Sequence, residues 1–288
     1  MEFEMIMQVI VSGLLIGFIY SLVAVGLCLI WGLMEIVNFA HGEFLMLSLF
    51  TAYWTYILFS FDPLLSLPLC TALLFAIGVL TYKGIISKII HAPFLAQLVA
   101  TFGLGIFLRS FAQFLWSPNY RMVENPWVAG RLDIGGVFIG LPQLVATVMA
   151  VIAFAFLYWF INKTETGKAL QATSEDREAA ALVGINSDKM FTLGWGIGAA
   201  CVGVAGALLA NYYYIFPDVG FPFSLIAFVA VALGGFGSIT GAFIAGAVIG
   251  LIETLSGFLI VPAFKHVAVF VLYLIVVVVK PQGLFGRY

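Results

Sequence analysis

Five side chains stand where an apolar solvent would make them costly: Asn38, His41, Glu43, Arg109 and Glu253, each inside or at the edge of an otherwise uncharged run. A charge at the centre of a bilayer costs roughly 2.5–3.5 kcal/mol on insertion scales, so each needs a partner or a task. Buried carboxylates can hold a cation or a proton, or pair with a basic side chain. Asn38, His41 and Glu43 share the stretch Asn38-Phe39-Ala40-His41-Gly42-Glu43, and Gly42 beside this polar cluster predicts a discontinuous helix. Such breaks are tolerated at membrane depth only where they face a cavity or buried protein. A second break is expected at Gly234-Gly235-Phe236-Gly237-Ser238, at a similar depth. Together, Asn38, His41, Gly42, Glu43, Gly234, Gly235 and Gly237 are candidates to line the inner part of a translocation path, with Glu253 nearer mid-span as a further candidate. The structural alternatives are that His41 and Glu43 satisfy each other or the backbone at an interface, and that Glu253 forms an ion pair with Arg109. Lys265 is expected to snorkel outward from the start of the last span.

The other concentration of chemistry is a charged segment, Lys163–Lys189, which holds 9 of the 26 charged side chains. Thr173 or Ser174 can cap a helix there, Glu175, Asp176 and Glu178 suit its first turns, and Gly184 suits its C′ position. The expected helix runs over Ser174–Val183, with Ala180, Leu182 and Val183 available to pack.

The elements that must position these groups follow from composition. The 288 residues are 63% hydrophobic and 9% charged, with mean hydropathy +1.14, against about 25% charged in soluble domains. Most of the chain must therefore be solvated by lipid. Apolar runs at Met5–Ile30, Phe44–Phe61, Leu64–Tyr82, Phe94–Leu108, Ile134–Asn162, Met190–Pro217, Val219–Ile252 and Phe264–Val279 predict eight or nine spans, the seventh run being divided at the second break. Acidic Glu2 and Glu4 precede the first run, which reads as a span and not as a cleaved leader. Gly13 with Gly17, and Gly246 with Gly250, have GxxxG spacing, and Gly194, Gly196, Gly198, Gly203 and Gly206 crowd one run. This predicts tight helix packing within the chain. The fold class is an all-α polytopic membrane protein, residues 1–288 forming one transmembrane domain.

Lys83 and Lys88, the bases of 163–189, and Lys280 with Arg287 mark three segments as cytoplasmic by the positive-inside rule. Nine spans with the N-terminus outside satisfy this; the loop 116–136, carrying Arg121, Glu124, Arg131 and Asp133, is then external.

Read in order, Glu178-Ala179-Ala180 followed by Gly184 resembles the EAA loop of ABC importer permeases, a coupling helix that docks on a cytoplasmic ATPase. The Ile-x-Leu-Pro portion of that pattern does not follow at its usual spacing. Gly13–Leu27, Asn38–Glu43, Gly167–Ala172 with Ala181–Asn186, Leu233–Ala242 and Lys280–Gly286 resemble LivH-type permeases, subunits of bacterial branched-chain amino acid importers. The resemblance spans nearly the whole chain. It implies a second, LivM-like permease, two cytoplasmic ATPase subunits that use ATP and Mg²⁺, an external solute-binding protein and an inner-membrane location. Glu178, Ala179, Ala180 and Gly184 would be the ATPase-coupling residues.

The sequence also excludes several classes. Its glycine-rich Gly234–Gly241 lacks the P-loop lysine, so the chain itself binds no nucleotide cofactor. His41, His91 and His266 are scattered and no HExxH occurs, so no metal site is expected. Net charge of −2 argues against nucleic acid. Cys28, Cys70 and Cys201, each in an apolar run, read as packing residues. No nucleophile and base are paired, so no enzymatic activity of its own is expected. Urea and short amides are alternative substrates within the same family. An ion-coupled carrier or channel using Glu43 and Glu253 is the alternative from another class, although no clear internal repeat is visible.

Overall fold

The computed structural model describes residues 2–286; Arg287, counted above among the basic tail residues, lies outside them. Among these residues nine helices or helix runs are long and apolar enough to cross a membrane. Nine candidate spans, the upper of the two expected numbers, make the chain a multi-pass, all-α membrane protein.

Helix α1 (Glu2–Met34) is uninterrupted because nothing in its apolar run breaks it. Helix α2 (His41–Phe59) follows the first break, and α3 (Pro63–Thr81) starts where Asp62 accepts the Leu64 N–H at 2.9 Å and Pro63 supplies a preset φ. A π turn (Tyr82–Ile86) and a single turn α4 (Ser87–Ile89) prolong α3. Helix α5 (Phe94–Trp116) runs eight residues past the expected end at Leu108. Arg109 looked like a boundary but has partners inside the fold.

The expected span from Ile134 is also corrected. Ile134–Gly140 belongs to a hairpin of β1 (Arg131–Ile134) and β2 (Val137–Gly140), registered Arg131 to Gly140 and Ile134 to Val137, and the span α6 (Leu141–Lys163) begins after it. Gln8 of α1 pins this hairpin, exchanging hydrogen bonds with both the N–H and the carbonyl of Phe138. The chain continues through α7 (Glu165–Glu175), α8 (Arg177–Leu182), α9 (Ser187–Leu209), α10 (Gly220–Gly234), α11 (Ile239–Leu259) and α12 (Lys265–Val279).

Small residues hold the bundle. The two GxxxG pairs meet each other: a Cβ on Gly17 would press on Ala247, and one on Gly250 on Gly13 and Gly17. The glycines of α9 likewise admit Gly26 of α1, Cys70 and Leu74 of α3, and Ser48 of α2. With no hydrophobic force between helices in lipid, such close backbone approach is a main source of packing energy. All three cysteines are free and buried among these contacts.

The packing also shows a duplication that the sequence conceals. Helix α1 packs most extensively on α11, as α9 does on α3; α1 meets α10 as α9 meets α2; and α10 flanks α11 and α12 as α2 flanks α3 and α5. Because successive spans alternate direction, α1, α2, α3 and α5 run opposite to α9, α10, α11 and α12, an inverted pairing that is incomplete, since α11 packs on α12 more closely than α3 does on α5. Inverted halves of this kind commonly enclose a site near the midplane.

Candidate functional site: a polar crossing at mid-depth

After Met34 the chain doubles back into the bundle. Residues 35–40 run without regular structure, the Thr101 hydroxyl donates to the Val37 carbonyl at 2.9 Å, and Asn38 Oδ1 accepts the Ala40 N–H at 3.1 Å. His41 Nε2 then lies 3.0 Å from the Val23 carbonyl. Val23 precedes the end of α1 by three helical turns, about 16 Å. Val23 also lies only about 8 Å along α1 from the midpoint of that 33-residue helix, so α2 begins inside a hydrocarbon layer of about 30 Å and not at its edge.

The other half behaves alike. Beyond α9 the chain turns back, Pro217–Val219 forms one 3-10 turn, and α10 starts at Gly220 against the first turn of α2. The Gly42 N–H donates to Ser224 Oγ at 2.8 Å. A Cβ on Gly42 would overlap the Gly220 carbonyl, and one on Gly220 the Gly42 carbonyl. Two half-helix N-termini thus abut, each with a fractional positive charge of about half a unit.

Glu43, Arg109 and Asp218 gather at this junction. Arg109 donates from Nε to Glu43 Oε1 at 3.2 Å and from Nη2 to the same oxygen. Its Nε also lies 3.7 Å from Asp218 Oδ1, and Gln113 donates to Asp218 Oδ2 at 3.3 Å. The Phe221 ring sits 5.4 Å from the guanidinium. Exposure rises from Glu43 (2%) through Arg109 (29%) to Asp218 (52%), so the cluster opens to one face of the bundle. Glu43 Oε2, Asn38 Nδ2 and His41 Nδ1 are buried without a hydrogen-bond partner among the described residues.

The expectations for these residues divide. Asn38, His41, Gly42 and Glu43 do come together, but Glu43 pairs with Arg109 and not with His41. Glu253 is not the partner of Arg109. It sits near the hairpin end of α11, where Lys265 Nζ lies 3.1 Å and His266 Nδ1 3.7 Å from its Oε1. Lys265 therefore folds back to a buried carboxylate instead of snorkelling outward, because the short turn after α11 delivers it there. Asp218 went unnoticed, falling in the gap between two predicted spans. Its signal was an acid flanked by Pro217 and Pro222 inside an apolar stretch.

The second break is also shallower than the first. Gly237 packs on Gly32, and the Phe236 ring lies tilted against Trp31 at 4.8 Å, so this break lies about 14 Å along α1 from Val23. Gly235 takes φ +101°, and the returning C-terminal segment uses the freed carbonyls: Leu284 and Phe285 donate to Leu233 and Gly234 at 2.8 and 3.1 Å. Gly234 and Gly235 thus seat the tail, away from the polar crossing. A cleft of about 760 Å³ opens beside the break, lined by Trp31, Asn162, Gln171, Ser174, Thr240 and Phe285.

The charged segment forms two helices, not one. Thr164 caps α7, whose Gly167, Leu170 and Thr173 are buried against the bundle. The cap of α8 is Asp176, which accepts the N–H groups of Glu178 and Ala179 at 2.9 Å each. Thr173 and Ser174 instead bond back to Ala169 and Gln171 within α7. Gly184 does close α8, at φ +87°, with its N–H on Ala181 and that of Ile185 on Ala180, the Schellman pattern. Ala180 is buried, whereas Leu182 and Val183 are 89% and 76% exposed.

Comparison with known proteins places the chain among transport permeases. Residues 9–279 match the family described as branched-chain amino acid transport system, permease component. The chain is 32% identical over 306 residues to the high-affinity branched-chain amino acid transport system permease protein LivH of Escherichia coli (strain K12), covering 99% of this chain and 97% of that one. It is 30% identical over 294 residues to the corresponding protein BraD of Pseudomonas aeruginosa, covering 98% and 96%. A probable branched-chain amino acid transport permease protein LivH of Methanocaldococcus jannaschii is 29% identical over 263 residues. No solved structure matches the chain. With nine candidate spans and a match over nearly its whole length, the chain belongs to the family of branched-chain amino acid transport permeases.

Proposed function

We propose that this chain is the permease subunit of an ATP-driven importer that carries branched-chain or related small amino acids across the inner membrane. A second permease, two cytoplasmic ATPase subunits and an external solute-binding protein complete the transporter, and ATP with Mg²⁺ is used by the ATPases. The observation that carries this reading is α8. It is capped at both ends, rests on α7 through a firm chain of caps, and projects Leu182 and Val183 from the most highly charged segment of the chain. Two adjacent exposed aliphatic side chains on a rigid knob suit a partner surface. Helix α7 contacts α1, α6 and α9, so a push on α8 reaches the helices around the polar crossing.

Orientation follows from charge. Lys83, Lys88, Lys163, Lys168, Arg177, Lys189 and Lys280 lie at the α7–α8 end, which is cytoplasmic on the positive-inside rule. The N-terminus and the hairpin are then external. The ion-coupled alternative is disfavoured because each of its carboxylates holds a cation, Glu43 that of Arg109 and Glu253 that of Lys265.

Changing Leu182 and Val183 together to aspartate is expected to lower ATP-driven uptake by about tenfold or more. The ATPase subunits should no longer co-purify with the chain, while membrane insertion persists. Gly184→Leu, forced into a left-handed backbone, should act in the same direction. Normal uptake and normal co-purification by both variants would remove α8 from the coupling role.

A further inference from the structure

The polar crossing holds two carboxylates, Glu43 and Asp218, around one guanidinium, Arg109, and among the described residues no second cation neutralises it. The excess negative charge lies on the open side, where Asp218 is half exposed; Glu43 Oε2 is buried with no partner. The same place offers positive character: the face of Arg109 turned to Asp218 and the N-termini of α2 and α10. Acceptors for a cation and donors for an anion therefore stand within one short reach, at mid-depth, beside the ring of Phe221. Hydrocarbon is a poor neighbour for a half-exposed aspartate and a part-exposed arginine, so this face must look onto the path or the second permease.

We infer that Arg109 and Asp218 form a way-station for the zwitterionic head group of an α-amino acid, the ammonium resting on Asp218 and the carboxylate on Arg109. This rests on the permease reading above. Glu43 holds the guanidinium in place from behind, and the Phe221 ring offers an apolar neighbour to the aliphatic side chain. Each contact replaces one the cluster already makes: the ammonium takes over from Gln113 on Asp218, and the carboxylate shares the guanidinium with Glu43. The site therefore binds weakly and releases readily, as a path requires. A neutral solute such as urea would leave the charges of the station unmatched.

The test uses the assembled transporter in proteoliposomes, loaded through its binding protein with photo-leucine, irradiated during turnover and mapped by peptide mass spectrometry. Labelling is expected on peptides containing Gly105–Gln113 and Asp218–Ser224, chased by excess leucine. Asp218→Asn should reduce it by about tenfold, the loss of one charge-assisted contact, and Asp218→Glu should restore part of it. Labelling confined to other helices, or unchanged in Asp218→Asn, overturns the station while leaving the permease reading intact. A wild-type transporter that neither imports nor is labelled by the probe sinks the amino-acid reading of the permease itself.

Discussion

Replacing Arg109 with leucine is expected to cost about 3–5 kcal/mol of folding free energy, because Glu43 would be left as a buried charge without its cation. Glu43 is 2% exposed and has one oxygen unpartnered even in the intact pair. The loss should appear in equilibrium unfolding in mixed micelles. Pairing Arg109→Leu with Glu43→Gln should recover much of it, since the double change removes both charges and a double-mutant cycle isolates their coupling. A loss below about 1 kcal/mol would describe a solvated surface pair and contradict the buried crossing.

The second large effect is steric. Gly42→Val places a side chain where the Gly220 carbonyl and Ser224 Oγ already stand, so α2 and α10 must separate and the Gly42 N–H loses its acceptor. Overpacking against backbone, with a lost hydrogen bond, should exceed about 3 kcal/mol. Little monodisperse protein is expected from detergent extraction. Gly103→Val in α5, where an added Cβ meets nothing, should extract normally and serves as the control. Equal yields of the two variants would show that the half-helix junction is not tightly packed.

Both effects concern contacts between segments far apart in the chain, and this divides what the residues alone disclose from what they do not. Eight or nine spans follow from composition, because a lipid solvent demands long apolar runs wherever the chain crosses. The break at Asn38–Glu43 was legible for the complementary reason: polar groups in such a run need cover. Gly184 as a helix stop was legible too, since its role is local. Partners were not. Arg109 ended a predicted span because a charge beside apolar residues suggests an interface; only the fold shows Glu43 waiting for it. For Glu253 the residues offer a place on the path or, alternatively, a pair with Arg109, whereas Lys265, across one short turn, takes it. Apolar residues of the hairpin, Ile134 to Ile139, merged with the next span because hydropathy does not register a strand held by Gln8. At α8, Asp176 displaced Thr173 and Ser174 as the cap once α7 absorbed those two residues into its own last turn. The inverted halves left no visible repeat in the residues, and show only in which helices pack together.

The most direct test of the central claim is leucine uptake into proteoliposomes containing this chain, with and without its partner subunits. Uptake is expected only when the second permease, the ATPase pair and the binding protein are present with ATP and Mg²⁺, and it should cease when hydrolysis is blocked. Uptake by this chain alone, driven by an ion gradient and indifferent to ATP, would contradict the account.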